Sequence, residues 1–301
     1  MSSSEPAVKT TSLGRSFSGR WAVHDLSLAV PSGSVYGLLG LNGSGKTTTL
    51  RLLMGLLRPS EGSAEVLGLD PQTAPVELKS QVGYVGDQPG FYDWMQVGEL
   101  IDFVAHHRRA WDEDYADELR RQFGLRLESR VGALAKGERV MTALLLALGF
   151  RPRLLLLDEP TAALDPSARR HFFEGILDAY QEEGGTILVS SHQIREIAGW
   201  VDHVGILEGG RLVVSQPVDE LQGRMKRYRL TFADGAPSRI DCPGLLSRND
   251  SGRVAELVVE LAADDDRAVR EALGAYAPSR LETGALNLEE AFLALTGESR
   301  P

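Results

Sequence analysis

Residues 40–47 read Gly-Leu-Asn-Gly-Ser-Gly-Lys-Thr, and they join an apolar run at 35–39 to a second run at 48–54. The first run predicts a buried strand and the second a helix, which places the glycines in the turn between them. A glycine-rich turn before a helix directs backbone N–H groups and the positive end of the helix dipole at an anion. The residues expected to cradle a triphosphate are Gly40, Asn42, Gly43, Ser44, Gly45, Lys46, Thr47 and Thr48.

The last residues of this segment carry its chemistry. Lys46 is expected to reach the β- and γ-phosphate oxygens, and the Thr47 hydroxyl is a suitable ligand for Mg²⁺. Gly40, Gly43 and Gly45 supply backbone conformations and a close approach that a side chain would block. The segment therefore predicts a site for a nucleoside triphosphate together with Mg²⁺.

Two further apolar runs end in residues that can act on a bound phosphate. Residues 154–157 precede Asp158 and Glu159, and residues 186–189 lead to His192. Because ligands of open α/β sheets bind at the carboxyl ends of the strands, we expect these three side chains near the phosphates. Asp158 is expected to hold Mg²⁺ directly or through water, Glu159 to polarise the attacking water, and His192 to contact the γ-phosphate.

The order of these motifs resembles the ATP-binding subunit of an ATP-binding-cassette (ABC) transporter over about residues 5–222. In that family an aromatic side chain upstream of the phosphate loop stacks on adenine; Phe17 takes this place, with Trp21 as the alternative. Residues 134–138 take the place of the signature motif, and residues 163–165 that of the dimer-contact loop. His192 matches the family's switch histidine.

The resemblance implies an α/β fold of the P-loop NTPase type. It implies a mixed or parallel core sheet, an antiparallel β-subdomain, and a helical subdomain at about residues 92–150. It also implies ATP and Mg²⁺ as ligands, a second cassette subunit that is identical or different, and a separate polytopic membrane permease. Tyr92, Trp94 and Met95 are nominated for the permease-docking surface, with ordinary core packing as the alternative.

The sequence departs from the family pattern at two places. Ala135 stands where the signature carries a serine, so one hydroxyl donor to the γ-phosphate across the dimer interface is missing, while Gly137 and the helix N-terminus remain. Glu138 stands where glutamine is common. In the coupling loop the expected glutamine aligns with Asp87, followed by Gln88, and either could approach Mg²⁺ or the attacking water. These departures predict a working but slowed ATPase.

Composition limits the cellular compartment and the classes of partner that we expect for this protein. A net charge of −10 argues against general nucleic-acid binding. The single cysteine, Cys242, fits a reducing compartment. Apolar runs fall short of the roughly 20 residues that span a bilayer, and the N-terminus lacks the features of a signal peptide. We therefore expect a cytoplasmic protein, peripheral on the cytoplasmic face of the cell membrane, with the membrane pathway in another chain.

Residues 223–301 are predicted to form a small α+β domain. The predicted elements are strands at 228–232 and 255–261 and helices at 266–276 and 288–296, the last one capped by Asn287 with Glu290. The basic cluster at 224–229 is interpreted as a solvated linker, with a nucleic-acid or lipid contact as the alternative. The tail resembles those of drug, lantibiotic or polysaccharide exporters; a dimerising or stabilising role is the alternative.

The predicted function is ATP binding and hydrolysis that powers an ABC transporter, specifically an exporter, through the separate permease. Two other hypotheses stay open at this point. One is a soluble ABC-type ATP switch that acts on ribosomes, DNA or other proteins. The other is a regulatory cassette that binds ATP with little hydrolysis, which Ala135 and Asp87 favour.

Overall fold

The computed structural model describes residues 5–162, 164, 169, 172, 173, 176, 184–262 and 265–296. These residues belong to two compact units that divide between Ser215 and Gln216. The first unit contains two sheets with their helices, and the second contains a sheet of its own.

The first unit is built from alternating strands and helices. Its strands are β1 (Val8–Phe17), β2 (Arg20–Leu26), β3 (Ala29–Val30), β4 (Val35–Leu39), β5 (Glu61–Val66), β6 (Val82–Val85), β7 (Leu154–Asp158), β8 (Thr186–Ser191), β9 (His203–Glu208) and β10 (Arg211–Pro217). Its helices among the described residues are α1 (Lys46–Leu53), α2 (Pro75–Gln81), α3 (Val97–His107), α4 (Glu113–Gln122), α5 (Lys136–Leu148) and α6 (Ile194–Ile197), with a 3₁₀ turn at Val131–Ala133.

The larger sheet has the strand order β10-β9-β4-β8-β7-β6. Strand β4 pairs in parallel with β8 and β9, and β7 pairs in parallel with β6 and β8. Every residue of β4, β7 and β8 is buried, as expected for parallel strands covered on both faces, whose sequences are nearly continuous apolar runs. The predicted phosphate loop, acidic pair and histidine therefore follow three neighbouring strands at one edge of the sheet.

The smaller sheet is antiparallel, with β1 between β2 and β3 and with β5 also paired to β1. It matches the antiparallel β-subdomain that the family resemblance implies. Phe17 ends β1 and Trp21 lies in β2, so both candidate adenine-stacking residues belong to one hairpin.

Helices α3, α4 and α5 lie within the segment predicted to be helical. Residues 140–148 of α5 are buried, and α5 packs on β6 and contacts both α3 and α4. The aromatic residues nominated for docking differ in exposure: Tyr92 is 60% and Trp94 68% exposed, whereas Met95 is 7% exposed. The nomination of Met95 is wrong, because its side chain packs in the core.

The second unit is a four-stranded antiparallel sheet with helices. Its strands are β11 (Met225–Thr231), β12 (Leu245–Ser251), β13 (Val254–Glu260) and β14 (Arg280–Ala285), and its helices are α7 (Val218–Gly223), α8 (Arg267–Gly274) and α9 (Leu288–Thr296). The strand order is β12-β13-β11-β14. The predicted cap of α9 is confirmed: Asn287 Oδ1 accepts from the backbone N–H of Glu290 at 2.9 Å, and the Glu290 carboxylate accepts from the backbone N–H of Asn287 at 3.0 Å.

Two features of the second unit correct the sequence-based prediction. The edge strands β12 and β14 were not predicted, because neither shows a clear alternation of apolar and polar residues. The basic cluster at 224–229 is not a linker, since most of it forms β11, one of the two central strands of the sheet.

The cations of that cluster pair with carboxylates. The pairs are Arg224 with Glu260 at 3.0 Å, Lys226 with Asp266 at 3.7 Å, Arg227 with Glu290 at 2.5 Å and Arg229 with Glu256 at 3.7 Å. This neutralisation argues against a nucleic-acid or lipid contact at the cluster, which would need unpaired positive charge.

Within the described ranges, no helix has both the length and the apolar character required to cross a membrane.

Candidate nucleotide-binding site

The loop from β4 to α1 has the backbone conformation of an anion cradle. Gly43 and Gly45 have φ angles of +82° and +106°, in the left-handed region that glycine tolerates best. A Cβ atom at Gly45 would also lie 2.5 Å from the carbonyl oxygen of Ala22, so a side chain is excluded there by contact as well. Helix α1 begins at Lys46, immediately after this turn, with its N-terminal N–H groups at the loop.

Lys46 is drawn into the loop by three oxygen partners. Its Nζ donates to the carbonyl oxygens of Gly40 at 2.6 Å and Leu41 at 3.1 Å, and it lies 3.1 Å from Oε1 of Glu159. The side chain is 5% exposed, so its charge is concentrated at the base of the loop rather than dispersed into water.

Asp158 ends β7 as a fully buried carboxylate. Its Oδ1 accepts two hydrogen bonds, from the Thr47 hydroxyl at 3.0 Å and from the Ser190 hydroxyl at 2.9 Å. Its Oδ2 is buried and has no hydrogen-bond partner. Burial raises the pKa of Asp158, and the two hydroxyl donors oppose that rise.

The unpartnered Oδ2 of Asp158 fits a hard cation that prefers oxygen ligands, such as Mg²⁺. Among the residues that the structure describes, no group of three or more His, Cys, Asp or Glu side chains is placed to hold a metal by itself. The unpartnered oxygen of Asp158 agrees with Mg²⁺ held by one or two protein groups together with substrate phosphates.

Glu159 lies between Lys46 and His192. Its Oε2 is 2.7 Å from His192 Nδ1 and accepts a hydrogen bond from the His192 backbone N–H at 3.2 Å. Because an ionised carboxylate only accepts, this contact places the imidazole proton on Nδ1. The Glu159 backbone has a φ of +50°, uncommon for a residue with a side chain, and the Glu159 carboxylate is 12% exposed.

These groups surround a cavity of 470 Å³. The residues that line it are Phe17, Ala22, Asn42, Gly43, Gly45, Lys46, Thr47, Thr48, Asp87, Glu159, Ala162 and His192. Ten of these twelve were candidates from the sequence alone; Ala22 and Ala162 were not. Gly40 contributes through its carbonyl bond to Lys46, and Asp158 through its bond to Thr47.

The residues of the cavity wall distinguish between alternatives that the sequence left open at two positions. Phe17 lines it and is 44% exposed, whereas Trp21 contacts His24 at a ring-centroid distance of 4.8 Å and is not part of its wall. Asp87 lines the cavity, whereas Gln88 lines only a second groove, described below. The geometry therefore favours Phe17 as the base-stacking residue and Asp87 as the residue nearest the phosphates.

Ala135 and Gly137 lie apart from this cavity, at the N-terminus of α5. The Ala135 backbone N–H donates to the Glu138 carboxylate at 2.7 Å, which is one half of a capping box, but Ala135 has no side-chain oxygen to accept from the first-turn N–H groups of the helix. Among the described residues the nucleotide cavity thus lacks the signature segment. In the predicted dimer-contact loop, Ala163 and Asp165 lie outside the described residues.

The groove next to the cavity has a volume of 840 Å³ and includes Asp87 in its wall. Its other lining residues are Arg51, Met54, Leu56, Lys79, Val82, Tyr84, Val85, Gly86, Gln88, Pro89, Gly90, Phe91, Val104, Arg108, Ala143, Leu146 and Ala147. Apolar side chains and three cations share this surface, which α1, α2, α3, α5 and the loop after β6 enclose.

Sequence reasoning missed two polar contacts behind the cavity. Ser190 donates to Asp158 and accepts from the Glu159 backbone. Glu196 is buried between Thr161 and Arg169. A serine at the end of the apolar run of β8 was a possible signal for the first contact; the second joins residues far apart in sequence and left no local pattern.

Comparison with known proteins agrees with this arrangement. A family model described as "ABC transporter" matches residues 23–162. The chain is 35% identical to the bacitracin transport ATP-binding protein BcrA of Bacillus licheniformis, over 73% of each chain. It is 31% identical to the daunorubicin/doxorubicin resistance ATP-binding protein DrrA of Streptomyces peucetius, over 97% of this chain and 92% of that protein.

A solved structure of the ATP-binding subunit of an ABC transporter superposes with a TM-score of 0.66 at 26% identity, covering 72% of this chain and 92% of that one. The predicted α/β fold of the P-loop type is therefore confirmed. The chain belongs to the family of ATP-binding subunits of ABC transporters, which bind and hydrolyse ATP to power transport.

Proposed function

We propose that this chain is the ATP-hydrolysing subunit of an exporter, and that Glu159 is its general base. The observation that carries the proposal is the position of the Glu159 carboxylate, which lies at the cavity wall in contact with Lys46 and with His192. Hydrolysis needs an acceptor for the proton of the attacking water and a fixed positive charge near the γ-phosphate, and this pair supplies both.

The ion pair between Lys46 and Glu159 sets the order of events. A γ-phosphate in the loop competes for Lys46 Nζ, so the ion pair opens and Glu159 Oε1 becomes available to the water. As the water oxygen bonds to the γ-phosphorus and ADP leaves, the water proton passes to Glu159. His192 holds the other carboxylate oxygen throughout, which keeps the base oriented.

The remaining residues bind and orient. Phe17 offers an exposed ring face to the adenine, and its other neighbour is the Arg15 guanidinium, 4.7 Å from the ring centroid. The N–H groups of Asn42, Gly43 and Gly45 face the phosphates. Thr47 and Asp158, with Asp87 nearby, would hold Mg²⁺, which neutralises charge on the phosphate oxygens when bound.

An assay of phosphate release tests the base assignment. At saturating ATP and Mg²⁺, we expect Lys46→Ala and Glu159→Gln each to lower turnover by orders of magnitude, with nucleotide affinity retained in Glu159→Gln. Lys79→Ala, which removes a lysine from the neighbouring groove, is the matched control and should keep the wild-type rate. A wild-type rate no higher than that of Lys46→Ala would favour the regulatory cassette.

Export is supported by the relatives. The matched proteins BcrA and DrrA are named for bacitracin transport and for daunorubicin/doxorubicin resistance. The similarity to DrrA extends over nearly the whole chain, so it includes the second unit. A soluble ATP switch on ribosomes or DNA gains no support from these relatives or from the paired charges of β11.

A polytopic membrane permease is the proposed partner, with this chain on the cytoplasmic face of the membrane. The 840 Å³ groove is the proposed docking surface, because it combines apolar walls with Arg51, Lys79 and Arg108 and adjoins Asp87. Exposed Tyr92 and Trp94, whose ring centroids are 5.9 Å apart, follow the loop that forms one wall. An acidic and apolar cytoplasmic helix of the permease would complement this surface.

Copurification from detergent-solubilised membranes tests this partnership. A polytopic protein is expected at near-stoichiometric amount with the tagged wild-type chain, and less of it with Trp94→Ser. Val76→Ser, at an 83% exposed position, serves as the control. Recovery of the wild-type chain only with ribosomes or nucleic acid would overturn the permease assignment.

A further inference from the structure

Ser190 is a buried hydroxyl that joins the two acidic residues of the site. The side chain is fully buried near the end of β8, where Ser190 pairs in register with Asp158 of β7. Its Oγ donates to Asp158 Oδ1 at 2.9 Å and accepts from the backbone N–H of Glu159 at 3.0 Å. The Ser190 hydroxyl group therefore donates one hydrogen bond to Asp158 and accepts another from Glu159, the next residue.

The contact with Glu159 restrains a strained backbone. A φ of +50° is unfavourable for a residue with a Cβ atom and persists where surrounding contacts impose it. The Ser190 oxygen holds the Glu159 N–H on one side of this turn, while Lys46 and His192 hold the carboxylate on the other. Without the Ser190 oxygen, a buried N–H would lack its acceptor, and the turn could relax.

The contact with Asp158 selects which carboxylate oxygen is free. Because Ser190 and Thr47 both donate to Oδ1, Oδ2 is left without a hydrogen bond. If the Ser190 hydroxyl were removed, Asp158 could rotate, and Thr47 would be the remaining hydroxyl donor to the carboxylate. The orientation of the oxygen available to a cation thus depends on Ser190.

We propose that Ser190 is a positioning residue for ATP hydrolysis, which fixes Glu159 and Asp158 relative to each other without touching the nucleotide. This inference rests on the proposed role of Glu159. Ser190 is not part of the described wall of the cavity, so its effect passes through its two neighbours. Loss of the hydroxyl should therefore lower the rate of the chemical step and weaken the binding of Mg²⁺ with the nucleotide. Nucleotide binding without metal should stay intact.

The test compares Ser190→Ala and Ser190→Thr with Thr186→Val. Thr186 lies at the opposite end of the same strand, is also buried, and its hydroxyl accepts from the Gly33 backbone N–H at 2.9 Å. Thr186→Val thus removes an equivalent buried acceptor far from Asp158 and Glu159. Three quantities are measured: kcat and KM for ATP, the affinity for a fluorescent ATP analogue with EDTA or with a Mg²⁺ titration, and Tm.

For Ser190→Ala we expect kcat to fall about tenfold or more, the loss that corresponds to misplacing one hydrogen-bonded group in the transition state. KM and the affinity in EDTA should stay within about twofold, because binding contacts are retained. The Mg²⁺ midpoint of analogue binding should move to higher concentration. Ser190→Thr should recover most of kcat, and Thr186→Val should lower Tm with kcat unchanged.

Where the wild-type rate exceeds that of Lys46→Ala, the proposal is overturned by equal kcat values for Ser190→Ala and Thr186→Val, or by a Ser190→Thr variant as slow as Ser190→Ala at wild-type Tm. An unchanged Mg²⁺ midpoint in Ser190→Ala overturns it at any wild-type rate. The midpoint does not depend on hydrolysis, so it decides the matter even if the wild-type rate is no higher than that of Lys46→Ala. A wild-type rate no higher than that of Lys46→Ala would refute the proposed ATPase function, and this result is distinguishable from failure of the Ser190 role.

Discussion

At the scale of single residues, Asp158 is a buried charge whose compensation is incomplete. Asp158 receives two hydroxyl hydrogen bonds at Oδ1, while the buried Oδ2 has none. A buried carboxylate oxygen without a partner destabilises the fold, and such features persist at functional sites because the ligand compensates them. The free oxygen of Asp158 that suits Mg²⁺ therefore lowers the stability of the metal-free protein.

Asp158→Asn should make the metal-free protein more stable. Asparagine has the same shape, keeps an oxygen for Thr47 and Ser190, and replaces the unpartnered oxygen by an uncharged amide. We expect a gain of about 1–2 kcal/mol in EDTA, visible as a Tm increase of a few degrees, together with loss of Mg²⁺-dependent ATP hydrolysis. Calorimetry without nucleotide measures the first effect and phosphate release the second.

The pH dependence provides an internal control for this prediction. Burial raises the pKa of Asp158 above its unfolded value, so the folded wild-type protein binds the proton more tightly and loses stability as pH rises through that window. The advantage of Asp158→Asn should be full above the raised pKa and shrink as pH falls toward the unfolded pKa. A Tm equal to or below wild type at neutral pH would contradict the account.

Ala135→Ser tests the main departure from the family pattern. Ala135 precedes α5 without a side-chain cap, and a serine there would cap the helix and restore a hydroxyl donor toward the nucleotide of a second cassette. We expect an increase in ATP turnover, with a Tm rise equivalent to about 1 kcal/mol.

Gln96→Ser is the matched control for Ala135→Ser. Gln96 is the N-cap of α3, and its backbone N–H donates to Glu99 at 2.8 Å, just as that of Ala135 donates to Glu138. It lies outside the signature segment, so it should change Tm alone. If Ala135→Ser raises Tm without changing turnover, the missing hydroxyl does not limit hydrolysis.

At the scale of elements, sequence prediction succeeded where burial leaves a strong pattern. Strands β4, β7 and β8 are buried over their whole length, so their continuous apolar runs and the polar residues after them were readable without coordinates. The edge strands β12 and β14 carry polar residues on exposed faces and gave no such pattern. Charge clustering at 224–229 misled because the neutralising carboxylates lie on other elements.

The candidate site shows the same limit. The sequence identified ten of the twelve residues that line the cavity, because the phosphate loop and the strand ends are local motifs. It could not choose between Phe17 and Trp21, which lie on the two strands of one hairpin. It also could not choose between Asp87 and Gln88, since one residue of displacement along a loop decides which side chain faces the cavity. Nor could it find Ser190 or Glu196, whose roles depend on contacts between segments distant in sequence.

Glu196 connects the segment after strand β7 to α6, the helix that follows His192. Its side chain is 4% exposed, accepts from the Thr161 hydroxyl, and pairs with Arg169 at 2.6 Å. Arg169 also donates to the carbonyl oxygen of Leu164 at 3.3 Å. A buried carboxylate thus joins α6 to the segment that follows Glu159.

Glu196→Ala should destabilise the first unit by about 3 kcal/mol, because it leaves Arg169 without its carboxylate in a mostly buried position. Urea denaturation followed by circular dichroism measures the loss. Asp117→Asn is the control, since it removes a carboxylate from exposed ion pairs with Arg120 and Arg121 and should leave stability nearly unchanged. Similar losses in both variants would show that burial of the Glu196 pair is irrelevant.

At the scale of the whole molecule, the described nucleotide cavity and the signature segment lie at different places on the chain. The described cavity contains the phosphate loop, Glu159 and His192, whereas Ala135 and Gly137 lie elsewhere, at the start of α5. Family resemblance implies that the signature segment acts on the nucleotide of a second cassette. The separation within one chain agrees with that arrangement, in which two cassettes enclose two ATP molecules.

Glu159→Gln tests whether the second cassette is another copy of this chain. Glutamine can still accept from the His192 backbone N–H, but it cannot take the water proton and it removes the ion pair with Lys46. Bound ATP should therefore accumulate and hold the closed state. In ATP and Mg²⁺ we expect light scattering to give twice the monomer mass of 32.7 kDa, returning to the monomer value after EDTA.

The matched variant Lys46→Ala should remain monomeric, because it weakens phosphate binding while retaining Glu159. If Glu159→Gln binds ATP but stays monomeric, homodimer closure is wrong and the second cassette is a different chain. Ala135 gives that outcome a physical basis: a subunit without the signature hydroxyl would serve best opposite a partner that retains it, so that one of the two sites keeps its full set of γ-phosphate donors.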